Sequence, residues 1–148
     1  MIDGIYNRGV LDLAGNIAPA HRLAAPDATA TAHSKLCGST VTVDLRVEDE
    51  IVVDYAQDVA ACALGTAAAA VMAKQIVGST AAELRALRDT MRRMLKENGP
   101  PPAGRFAELA VLEPVRDYKA RHTSTLLVFE AVVEALDRIA ARTVAEPA

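Results

Sequence analysis

Tryptophan is absent and aromatic residues make up only 3% of the 148 positions, so any interior must be built mainly from alanine, valine, leucine and isoleucine. No stretch approaches the roughly 18 apolar residues of a membrane-spanning helix; even Ala60 to Ala73 is short and mostly alanine. A basic block is missing too, and with a net charge of −3 the chain carries no electrostatic footprint for nucleic acid or an anionic membrane surface. Met1-Ile2-Asp3-Gly4-Ile5 holds an early acid and no apolar run, which argues against a secretory leader. A cytoplasmic location is expected. Cysteine is scarce, with Cys37 and Cys62 the two present. In a reducing compartment such a pair reads as free thiols, ligands or redox groups rather than a structural disulfide. The length suffices to bury a core without staples, and residues 1–148 read as one domain.

The surroundings of the two cysteines are informative. Cys37 precedes a glycine in Leu36-Cys37-Gly38-Ser39, which leaves its sulfur approachable. Cys62 opens an alanine-rich helix, where unpaired backbone N–H groups and the positive dipole end favour thiolate. Thiolates suit soft metals and sulfur chemistry. The plainer reading, two small buried hydrophobes, is common for free cysteine.

The chain organises around these positions. Ile5 to Ala14 predicts a short amphipathic helix stopped by Gly15-Asn16, and Ala18 to Pro26 an irregular connection. Thr29 to Ser34 is a weakly patterned first strand. In Thr40 to Val47, valine and leucine alternate with polar residues, so one face is expected buried and one wet; a turn at Glu48-Asp49-Glu50 leads into a second strand, Ile51 to Ala56, forming an antiparallel hairpin. Cys62 to Val77 predicts a packed helix whose small side chains admit another backbone closely. Thr80-Ala81-Ala82-Glu83 is a capping-box pattern opening a helix with Leu84, Leu87, Met91 and Leu95 inward. The outer face of that helix, with Arg85, Arg88, Arg92, Arg93 and Lys96, reads as a solvated surface. Consecutive prolines after Asn98-Gly99 end it as a hinge or stiff spacer. A short helix over Arg105 to Val111 is expected to break at Pro114. The last helix starts near Thr123 or Ser124 and runs to about Arg142, with Leu126, Phe129, Val133, Leu136 and Ala140 inward; Val144 to Ala148 is expected to fray. The fold class is α+β, a small antiparallel sheet of about three strands covered by four to six helices.

From Tyr6 to about Arg138 the chain resembles the IscU/NifU-like scaffolds on which iron–sulfur clusters are assembled. The resemblance is carried by Tyr6…Val10-Leu11-Asp12…Asn16, by Cys37-Gly38-Ser39 where the family has Cys-Gly-Asp, by Cys62 through Gly78, and by His122-Thr123 where the family has His-Cys. Leu112-Glu113-Pro114-Val115-Arg116 resembles the family's chaperone-recognition motif; the plainer reading, which we favour, is a loop punctuated by Pro114, and as a working motif its pre-proline geometry would present an extended epitope. The resemblance implies a ligand set of Cys37, Cys62 and His122, with Ser39 and Thr123 in place of an aspartate and a third cysteine. It further implies a transient [2Fe–2S] cluster, with zinc as a stand-in, and a cysteine desulfurase and acceptor apoproteins as partners.

Tetrahedral sites want four donors, and two thiolates and one imidazole fall short. A second copy of the chain, an external thiol or a partner's cysteine would fill the gap. Each ligand has a competing reading: a buried thiol for Cys37, tight alanine packing for Cys62, a backbone hydrogen bond for His122. His21 and His33 read as surface residues. Three functions follow: a non-enzymatic cluster scaffold or carrier; a degenerate member acting as a cluster-free interaction or regulatory module; and a thiol enzyme with His122 as base, for which no nucleophile elbow or oxyanion motif can be named.

Overall fold

Alternation in the sequence builds the sheet. In the computed structural model, which describes residues 6–145, β1 (Ala28–His33), β2 (Thr40–Glu48) and β3 (Ile51–Ala60) form an antiparallel meander in the order β1-β2-β3. The inward residues of β2, Val41, Val43 and Leu45, are fully buried. Glu48 pairs with Ile51, so the turn is the two residues Asp49 and Glu50, both left-handed at φ 51° and 65°, the handedness whose twist matches that of the flanking strands. β3 runs four residues beyond the expected Ala56 because its polar positions there are also partnered. Tyr55 Oη donates to Gln57 Oε1 at 2.6 Å, and Gln57 Nε2 donates to the Ala69 carbonyl at 3.1 Å.

The second face of β2 is not uniformly wet. Asp44 on that face is fully buried and accepts from Arg22 Nε and Nη2 at 2.7 and 2.9 Å, from the Leu23 N–H at 3.0 Å and from Thr29 Oγ1 at 2.6 Å. The Arg22 hydrogen bonds, helped by those of Thr29 and Leu23, outweigh burial and hold the carboxyl down to about 2. This carboxylate anchors the irregular connection across the sheet. Near it, a bulge between Arg46 and Val47 leaves the Val47 N–H to donate to Asp27 Oδ2 at 2.8 Å.

Helices cover the other face. α1 (Arg8–Gly15) is capped by Asn7, whose side chain accepts from the Val10 N–H; the expected start at Ile5 lies outside the described residues. α2 (Ala63–Gln75) takes Cys62 as its N-cap and buries Ala67, Ala68 and Ala69 completely. Its Gly65 is required by close approach to the last helix: a Cβ there would sit 2.8 Å from the Ser124 carbonyl oxygen. At the far end Arg105 donates to the carbonyls of Gln75 and Val77, satisfying terminal acceptors of α2. α3 (Ala81–Lys96) carries the full capping box at Thr80 and Glu83. Its basic face is a seam rather than a plain solvated surface, since Arg85 pairs with Asp137 at 2.6 Å and both Arg88 and Arg92 pair with Glu130.

Pro114 does not break the chain's helical path. Gly104–Asp117 is 3-10 in character, kinked at Phe106 (φ −101°, ψ 15°), with Pro114 inside the part after the kink, and is followed by a 3-10 turn at Lys119–Arg121. The physical reason is a period of three. Phe106, Leu109, Leu112 and Val115 are all buried, and a 3-10 helix aligns residues at that spacing on one face. The chain then enters α4 (His122–Ala145), which packs on β1, β2, α2 and α3. Ala140, expected inward, is exposed; at this end Arg138 and Arg142 instead reach the carbonyls of Thr29 and Asp27. Helix continues through Ala145, where fraying was expected from Val144, and 146–148 lie outside the described residues. No helix among the described residues is long and apolar enough to cross a membrane.

Candidate metal centre

The two thiols lie on separate elements, and a serine hydroxyl engages each. The loop between β1 and β2 carries Cys37 and is held as a tight unit: the Ser34 N–H donates to the Ser39 carbonyl at 2.9 Å and the Gly38 N–H to the Ser34 carbonyl at 2.8 Å. Gly38 adopts φ +71°, a conformation natural to glycine. The thiol of Cys37 is exposed, and its sulfur lies 2.9 Å from Ser39 Oγ. Cys62, half-buried at the N-cap of α2, donates its S–H to Ser124 Oγ at 3.7 Å. Ser124 Oγ in turn donates to the Arg121 carbonyl at 3.2 Å. Each thiol, distant from the other in sequence, is thus engaged by a serine hydroxyl, Cys37 by Ser39 and Cys62 by Ser124 in the first turn of α4.

Hydroxyls set the chemistry of Cys37. Ser39, then Ser34, with a smaller contribution from Ser124, stabilise the thiolate and bring its pKa down to about 7. At neutral pH a substantial fraction of this thiol is ionised, which is the form that ligates metals and attacks sulfur. Ser39 is buried with its hydroxyl turned to sulfur. Ser34 and Ser124 went unrecognised as site residues in the sequence reading. Ser34 was visible as a hydroxyl three positions before Cys37, whereas Ser124 had only the signal of a helix cap.

His122 is buried, and its Nε2 lies 3.1 Å from the carbonyl oxygens of both Val115 and Arg116. Carbonyls only accept, so Nε2 carries a proton, and in the neutral ring the lone pair is on Nδ1. A ligating histidine commonly donates its other nitrogen to backbone in this way. Among the described residues no three His, Cys, Asp or Glu side chains are gathered as a ready metal cluster. Thr123 is exposed. His21 and His33 are exposed as expected, His33 meeting only Thr40 Oγ1 at 3.1 Å.

The segment Leu112 to Arg116 departs from expectation. Leu112 and Val115 are fully buried, and the stretch is 3-10 rather than extended. Arg116 donates to the Gly99 carbonyl at 2.8 Å and lies 3.4 Å from Glu113, which pins the proline-rich spacer to this wall.

Comparison with known proteins gives a consistent neighbourhood. A family model described as the NifU-like N-terminal domain matches residues 5–125. The iron–sulfur cluster assembly scaffold protein IscU of Thermotoga maritima is 28% identical over 138 residues, covering 91% of this chain and 94% of that protein. The crystal structure of a nitrogen-fixing NifU-like protein (N-terminal) from Brucella abortus superposes with a TM-score of 0.93 at 59% identity, over 95% of this chain and 98% of that one. A candidate SUF-system scaffold from Fervidobacterium islandicum AW-1 shares the fold with a TM-score of 0.81 at 20% identity, over 89% and 96% of the two chains.

Proposed function

The chain belongs to the NifU-like N-terminal domain family, and from that premise we propose that it is a non-enzymatic iron–sulfur scaffold or carrier, working as a single domain in the reducing cytoplasm. Its cargo is a transient [2Fe–2S] cluster, or a metal ion such as zinc, taken on by Cys37 and Cys62. His122 is the third proposed donor, through Nδ1, its Nε2 proton being committed to backbone; since no three His, Cys, Asp or Glu side chains are gathered among the described residues, its ring has to move toward the thiols when cargo binds. The observation carrying this reading is that both thiols are engaged by serine hydroxyls, Cys37 by Ser39 and Cys62 by Ser124, with Cys37 acidified by the hydroxyls around it.

The donor set determines how firmly cargo is held. With Ser39 and Thr123 in place of a carboxylate and a thiolate, the site brings less negative charge to a cationic cargo and holds it more weakly. Two chains sharing a cluster would supply four thiolates. A cysteine desulfurase and acceptor apoproteins are the proposed partners. Chaperone capture at Leu112–Arg116 would require that segment to unwind first, since its apolar residues are in the core.

Anaerobic reconstitution with ferrous iron and sulfide tests the reading. The parent should gain a visible chromophore that Cys37→Ala and Cys62→Ala each lose; identical spectra in all three proteins would defeat it. A second reading has its own support, because the described residues gather no ready third donor: a cluster-free interaction module. In that case a Cys37→Ala/Cys62→Ala double variant would capture cluster-assembly partners as well as the parent does.

A further inference from the structure

A groove of about 550 Å³ opens between the C-terminal end of α3 and the start of α4, with Lys96, Arg116, Lys119 and a single acid, Asp117, on its walls. Lys96 and Lys119 are exposed, and among the described residues neither makes an ion pair. Arg116 presents a different irregularity. Its Nη2 is engaged by Gly99 and Glu113, but its Nε is buried without a hydrogen-bond partner. An orphaned buried donor is costly and leaves the guanidinium charge incompletely compensated at the groove wall. His122, also in the wall, fixes Arg116 by holding its carbonyl at 3.1 Å. Excess positive charge, an unsatisfied guanidinium N–H and a volume in the range of small-molecule sites coincide at one place.

We propose that this groove binds a small organic or inorganic oxyanion, with a carboxylate or phosphate group seated among Lys96, Arg116 and Lys119. Guanidinium geometry suits both groups, and the two sources are separated by experiment. Metal-free full-length protein is titrated calorimetrically with citrate and, separately, with inorganic phosphate. At least one should bind saturably at one site per chain, weaken as salt is raised, and lose tenfold or more in affinity in a Lys96→Gln/Lys119→Gln double variant. The preferred probe identifies the group. Lys74→Gln, which removes a lysine paired with Glu108 on another surface, should bind like the parent, with circular dichroism confirming that all variants fold. Cys37→Ala/Cys62→Ala should also bind normally, so failure of the cluster reading leaves this one standing. No saturable binding of either anion, or equal affinity in parent and double variant, would overturn the proposal.

Discussion

A hydroxyl at position 39 acts on Cys37 in the opposite sense to a carboxylate. Ser39 donates to the sulfur and is the largest influence lowering its pKa to about 7; a nearby negative charge would raise it. Removing the hydroxyl in Ser39→Ala should return the midpoint toward the ordinary thiol value of about 8.5, and Ser39→Asp should raise it at least as far. The pH profile of alkylation in a Cys62→Ala background measures this, and an unmoved midpoint would show that Ser39 does not act on the thiol. Asp44 provides a second test at this scale. Its hydrogen bonds to Arg22, Thr29 and Leu23 hold its folded pKa near 2, below an unfolded value of about 3.9. The stability it contributes is therefore complete above pH 4 and lost as pH falls toward 2. Asp44→Ala should cost about 2–3 kcal/mol at neutral pH, and its acid unfolding should be less steep than the parent's between those values. Chemical denaturation across that pH range measures both effects.

Among the elements, the crossing of α2 and α4 is what places Ser124 beside Cys62. Gly65 sets the approach, since an added Cβ would come within 2.8 Å of the Ser124 carbonyl. Gly65→Ala should destabilise the fold by about 1–3 kcal/mol and also shift the serine that accepts from Cys62. Thermal unfolding reads the first effect and the alkylation rate of Cys62 reads the second; a variant unchanged in both would mean the helices have slack. Local pattern made much of this layer legible. Alternation in 40–47 located β2, the Thr80–Glu83 pair located the start of α3, and the alanine run identified a closely packed helix. The 3-10 stretch was not legible, because Pro114 is a strong local stop signal and the three-residue spacing of Phe106, Leu109, Leu112 and Val115 was overlooked.

For the molecule as a whole, what escaped the sequence reading was long-range. Arg22 and Asp44 belong to segments that read separately as loop and wet strand face, and only the folded chain shows that one covers the other. The site shows the same limit: Cys37 and Cys62 could be singled out by their neighbours, but their convergence on one cargo depends on the β1–β2 loop, α2 and α4 being brought together by the core. That convergence is the central claim, and cobalt(II) reports on it directly because thiolate-to-metal charge transfer grows with the number of sulfurs bound to the ion. Anaerobic cobalt titration should give the parent a near-ultraviolet band from two thiolates per ion, roughly halved in Cys37→Ala and in Cys62→Ala and absent in the double variant. A full-strength band in either single variant would show that the two sulfurs do not serve one metal.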